Sequence, residues 1–183
     1  MTASRIYGID PGPLRSALVV IDTSRTILVH VYDENARIRG RLDCELTALN
    51  TREQHYLAIE DIRAYGRGVR PEALETAVQV GRFVELAECY LGESAVHRVP
   101  RSVVLARLIG MAHGKKIEVK TRLIEIYGSQ KVKLKERRKW KDPVTGKKRT
   151  ATTEPGPTAG LREGHDWDAL AMCEWFMETG GRV

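Results

Sequence analysis

The heptapeptide Ile6-Tyr7-Gly8-Ile9-Asp10-Pro11-Gly12 constrains this chain more than any other stretch. An apolar run ends in a carboxylate and breaks at once on Pro-Gly, the pattern of a strand that stops at its last residue. Ile6 and Ile9 pack, and Asp10 is left at the end of the sheet. Ser16-Ala17-Leu18-Val19-Val20-Ile21-Asp22 resumes as a second strand, so Pro11 to Arg15 form a hairpin connection. A carboxylate held at a strand terminus beside a glycine turn is placed to hold a divalent cation. The same residue also suits ordinary turn chemistry, because Asp before Pro-Gly favours tight turns. What separates the two readings lies at the other end of the chain.

Thr26 to Tyr32, rich in β-branched and aromatic residues, reads as a third strand and completes an antiparallel meander. Residues 34–54 mix charges with isolated apolar side chains and predict irregular or short structure. Tyr56-Leu57-Ala58-Ile59-Glu60 suits a central strand buried on both faces, and it too ends in acid. The loop from Arg63 to Arg70 carries Tyr65, Gly66, Gly68 and three arginines. Pro71 then opens a helix whose stripe runs through Leu74, Ala77, Val78, Gly81, Val84 and Leu91, and Gly92 closes it. Ala95 to Val99 is a fifth strand ended by Pro100. Ser102 caps a helix to about Met111, Glu118 to Tyr127 forms another, and His165 to Glu178 is the last.

Length and composition place the chain as one domain, 1–183, with a core that needs no disulfide or structural metal. No apolar run approaches the roughly 20 residues that span a bilayer. Met1 to Arg5 lacks the apolar core of a signal peptide, so a cytoplasmic location is expected, with no membrane partner. Cys44, Cys89 and Cys173 are odd in number and far apart, which argues against a disulfide framework or a zinc site. The net charge of +6 becomes informative once located. Of 30 basic and 24 acidic residues, ten basic and two acidic lie between Lys131 and Arg149, leaving 20 against 22 elsewhere. One segment supplies the whole positive excess, which suggests a polyanionic partner, most often nucleic acid. The surrounding stretch, about 129–164, is too polar to build a core of its own and predicts a basic, flexible insert.

In His165-Asp166-Trp167-Asp168-Ala169-Leu170-Ala171, His165 and Asp168 stand three apart in the first turn of a helix and share a face. That face continues through Met172 and Phe176, so both polar groups point towards the sheet. Burying an acid and an imidazole there is costly unless something compensates. Asp10 and Glu60 pose the same problem from the strand side. A divalent cation resolves all of it, with Asp10, Glu60 and Asp168 as hard oxygen ligands for Mg²⁺. Each residue taken singly has a plainer role: Glu60 can pair with Arg63 or Arg82, and Asp168 favours a helix first turn. The combination is harder to explain in that way.

Those three motifs, Gly8-Ile9-Asp10-Pro11-Gly12, Ala58-Ile59-Glu60 and His165 to Ala171, resemble the RuvC-type Holliday junction resolvases of the ribonuclease H-like superfamily, particularly the short versions carried by phages. The resemblance implies an α/β fold with a five-stranded mixed sheet, a meander of three antiparallel strands plus two parallel ones, flanked by helices. It implies a site in which Asp10, Glu60, His165 and Asp168 are catalytic and hold two Mg²⁺ ions, with Mn²⁺ as a substitute. Asp166 stands next to His165 as an alternative for the fourth ligand, since some members carry Asp at the first position. The implied activity is two-metal hydrolysis of branched DNA, especially four-way junctions, by a homodimer in the cytoplasm of the cell or phage host. Tyr65, Arg67, Arg70 and Arg82, with Lys131, Lys133, Lys135, Arg137, Arg138, Lys139, Trp140, Lys147, Lys148 and Arg149, are the candidate DNA contacts. Two rivals stay open: a related nuclease acting on forks, flaps or RNA–DNA hybrids, and a branched-DNA-binding protein without chemistry.

Overall fold

The computed structural model describes residues 4–49, 53–62, 70–128, 131–141, 148–161 and 164–182. Its strands β1 (Ser4–Asp10), β2 (Arg15–Asp22), β3 (Ile27–Glu34), β4 (Gln54–Asp61) and β5 (Val96–Pro100) form one sheet of order β3-β2-β1-β4-β5. The first three pair antiparallel, while β1–β4 and β4–β5 pair parallel. This is the mixed sheet expected from the sequence. Ile9 stands opposite Ile59, so Asp10, the last residue of β1, and Glu60, the last but one of β4, lie side by side at the same end of the sheet.

Strand pleat decides which way those acids face, because alternate residues point to opposite sides. Tyr7, Ile9, Leu18, Val20, Leu57 and Ile59 pack on one side against α1 (Asn35–Thr47) and α2 (Pro71–Leu91), through Ile38, Leu42, Leu46, Val80 and Phe83. Ile6, Ala17, Val19, Ile21 and Ala58 pack on the other against α5 (His165–Thr179), which is covered by α3 (Arg101–Ile109) and α4 (Lys116–Tyr127). Asp10 and Glu60 share the parity of Ile6 and Ala58, so they face α5. The helix can come close because β1 has no side chain at Gly8. A Cβ there would run into the Ala169 carbonyl and the Cys173 sulfur.

Two expectations change. Residues 34–54, read as irregular, contain the 13-residue helix α1. Its only buried apolar residues are Ile38, Leu42 and Leu46, one per turn amid charge, too narrow a stripe to stand out until packed against the sheet. The final helix was expected to bury one stripe, yet every residue from Asp166 to Phe176 is buried. It lies between the sheet and two outer helices, so no face remains for solvent. Its buried Glu174 is held by Arg25, whose Nε and Nη2 donate to the carboxylate, and by the Tyr127 hydroxyl at 2.9 Å. Within the basic insert, β6 (Lys131–Lys141) pairs antiparallel with β7 (Lys148–Pro155). Alternation in Lys131-Val132-Lys133-Leu134-Lys135 and the β-branched threonines of β7 favour strand geometry, and a ladder satisfies the backbone. Among the described residues no helix is long and apolar enough to cross a membrane.

Candidate active site

Asp10 ends β1, Glu60 is the last residue but one of β4, and the first turn of α5 sets His165 and Asp168 above them. The sequence-predicted four therefore come together. His165 Nδ1 lies 2.5 Å from Asp10 Oδ2, and this bond raises the imidazole pKa above its ordinary value. Tyr32 of β3 stacks on the imidazole, with ring centroids 4.9 Å apart and planes within 4°. The Arg15 guanidinium lies over the other ring of that pair, 5.6 Å from the Tyr32 centroid. Asp166 is buried at the same turn, but the contact with Asp10 is made by His165.

Glu60 reports how crowded the acids are. Burial, together with the charges of Asp10 and Asp168, pushes its carboxyl up to about 7. Two cations offset the crowding. Arg101, the first residue of α3, places Nη2 at 2.9 Å from Asp168 Oδ1 and Nη1 at 3.7 Å from Glu60 Oε2. Lys116, the first residue of α4, reaches Asp168 Oδ2 at 3.1 Å. The N-terminal ends of α3, α4 and α5 thus meet at one place, and helix dipoles add to its positive potential. Arg101, Lys116 and Tyr32 were missed in the sequence. A basic residue opening a helix ordinarily reads as a solvated charge, and the only hint was Pro100-Arg101 at the end of β5, mirroring the strand-end acids.

As placed, no three acidic, histidine or cysteine side chains among the described residues converge tightly enough to hold a metal ion. Arg101 and Lys116 are the cations that these carboxylates hold instead. The donor set itself suits a hard divalent ion: three carboxylates and an imidazole, crowded enough to keep Glu60 protonated near neutrality. A cavity of about 330 Å³ beside Glu60 and Arg101, bounded by Ser102 and His113, opens on one flank. Another of about 230 Å³, lined by Lys116, Lys120, Trp167 and Asp168, opens on the second.

The remaining candidates are dispersed. Arg70 is exposed just before α2, and Arg82 lies on α2, on the opposite side of the sheet from α5. Lys131, Lys133, Lys135, Arg137, Arg138, Lys139 and Trp140 fall on β6, and Lys148 and Arg149 on β7. Tyr65, Arg67 and Lys147 lie outside the described residues.

No protein-family model matches the chain, and no curated protein matches it. Among solved structures it is similar to RuvC of Thermus thermophilus, with 18% identity and a TM-score of 0.58 over 97% of each chain. It is also similar to T. thermophilus RuvC in complex with Holliday junction substrate, with 20% identity and a TM-score of 0.58 over 97% of this chain and 93% of that one. Identity at this level establishes architecture: over nearly its whole length, the chain has a RuvC-like fold.

Proposed function

We propose that this protein is a structure-selective DNA endonuclease that resolves four-way junctions and other branched DNA by Mg²⁺-dependent phosphodiester hydrolysis. The observation that carries this reading is the convergence of Asp10, Glu60, His165 and Asp168 at one edge of a RuvC-like sheet, between two clefts. A solved structure of the same fold is a complex with a Holliday junction substrate.

Asp10, Glu60 and Asp168 would hold the ions, with His165 completing the set through its ring nitrogen or remaining on Asp10. Bound there, two ions would supply an activated water and charge neutralisation on the attacking and leaving oxygens. The chain's own groups do the rest. His165, tuned towards its protonated form by Asp10 and steadied by Tyr32, holds a proton for the leaving 3′ oxygen. Arg101 and Lys116, cations at the same place, would serve the phosphate oxygens as charge-assisted donors. Water oxygen bonds to phosphorus as the bond to the 3′ oxygen breaks, leaving a 5′-phosphate and a 3′-hydroxyl. A junction has two-fold symmetry, so paired cuts call for a homodimer.

Asp10→Asn is expected to bind a four-way junction while cutting it at least about a hundredfold more slowly in Mg²⁺, measured with matched junction, fork, flap and hybrid substrates. Cutting at the wild-type rate would remove Asp10 from the mechanism, and preference for a hybrid or flap would move the substrate to a related nuclease class. A second reading, a branched-DNA-binding protein without chemistry, is favoured by the ion pairs that Arg101 and Lys116 make with the acids. Junction binding by the wild type without cleavage in either Mg²⁺ or Mn²⁺ would select it.

A further inference from the structure

A cavity of about 510 Å³ lies on the α1/α2 side of the sheet, between the β1–β2 turn, the start of α1 and the middle of α2. Arg15, Arg39 and Arg82 line it from three different elements, against Glu34 as the one acid in its wall. Arginines elsewhere in the described residues, such as Arg25, Arg37, Arg41, Arg98 and Arg107, each pair with a carboxylate. Among the described residues Arg39 and Arg82 make no such pair, while Arg15 stands opposite Glu34 across the β2–β3 pair and its charge helps lower the Asp33 pKa. Arg39 donates instead to the neutral amide oxygen of Gln79 at 2.9 Å, and Arg15 lies over Tyr32. A neutral partner orients a guanidinium without cancelling its charge, which is the arrangement that anion recognition needs.

The wall shared with the acid cluster is rigid. Buried Asn35 donates through Nδ2 to the carbonyls of Gly12 and Pro13, at 3.0 and 3.1 Å, and accepts the Ser16 hydroxyl at 2.6 Å. The turn that follows Asp10 is thus locked by a side chain from α1. Asp10 stands on one side of it and the arginine cavity on the other. A polyanionic strand crossing the acids meets this turn next, then the guanidinium groups of Arg39 and Arg82.

We propose that this cavity seats the phosphate backbone of a DNA arm beyond the scissile phosphate, so that the β1–β2 turn is the ridge over which the arm leaves the site. The assignment rests on the nuclease reading above and adds a second anchoring point remote from the chemistry. Fluorescence anisotropy with metal-free protein and a fluorescent four-way junction, over a salt series, tests it. Each phosphate contact contributes about 0.9 to the slope of log affinity against log salt. The slope of Arg39→Gln/Arg82→Gln is expected to fall by about 1–2, that of Arg39→Lys/Arg82→Lys to stay near wild type, and shortened arms to lower the wild-type slope but not that of the glutamine variant. An unchanged slope in a variant with a wild-type melting profile overturns the proposal, as does a change in oligomeric state at constant slope, which would make the cavity a protein contact. If the glutamine variant does not fold, phosphate-ethylation interference on the wild type decides instead. Interference beyond the cut site supports the cavity, and interference confined to the cut site overturns it. Wild-type protein that binds no junction would sink both readings, whereas wild-type binding and cutting with an unchanged variant slope would sink this one alone.

Discussion

Glu60 keeps its proton to about pH 7 in the folded chain, because burial and two neighbouring acids oppose its charge. In the unfolded chain it gives up that proton near the ordinary 4.5. Between those values the unfolded state binds fewer protons, so Glu60 lowers stability progressively as pH rises from about 4.5 to 7, and fully above 7. Each pKa unit corresponds to about 1.4 kcal/mol, so Glu60→Gln should stabilise metal-free protein above pH 7 by on the order of 1–3 kcal/mol and match wild type near pH 4. Denaturant unfolding in chelator at both pH values checks this. Equal pH profiles for the two proteins would show that the acids do not crowd one another. At this scale the sequence was informative where a side chain terminates an apolar run, as Asp10 and Glu60 do. It was silent for Arg101 and Lys116, whose role exists only through partners distant along the chain.

Between elements, the contact that sets the site is α5 on β1. Gly8→Ala places a methyl group against the Ala169 carbonyl, which is backbone and cannot rotate away. The helix must shift, taking His165 and Asp168 off their register with Asp10. Overpacking of this kind costs about 1–3 kcal/mol. Thermal unfolding should show that loss, and junction cleavage should fall further than junction binding does. Adding Cys173→Ala frees the sulfur side but not the carbonyl, so it should rescue little. Strand and helix order were legible because β-branched runs, Pro71 and the strand-end acids punctuate the chain. Helix α1 was not, since three apolar residues amid charge become a stripe only against a sheet. The β6–β7 ladder was hidden for a related reason, because pairing satisfies a polar backbone that composition alone marks as unstructured. The burial of α5 on every side depends on α3 and α4 closing over it, a long-range fact that no local period encodes.

For the molecule as a whole, α2 leaves Leu74 and Val78 exposed by 58% and 53%, one turn apart on the same helix face. If the homodimer forms across this face, Leu74→Glu/Val78→Glu should yield monomers in light scattering, and junction products should shift from paired cuts to single nicks. Dimers that persist in the double variant would place the interface elsewhere. Arg101 and Lys116 bear on the molecule's history as well as its chemistry. Because the acids come supplied with counter-charges from their own polypeptide, a newly made chain can finish folding without a divalent ion, and under the proposed nuclease reading it would stay silent until ions and DNA claim those partners.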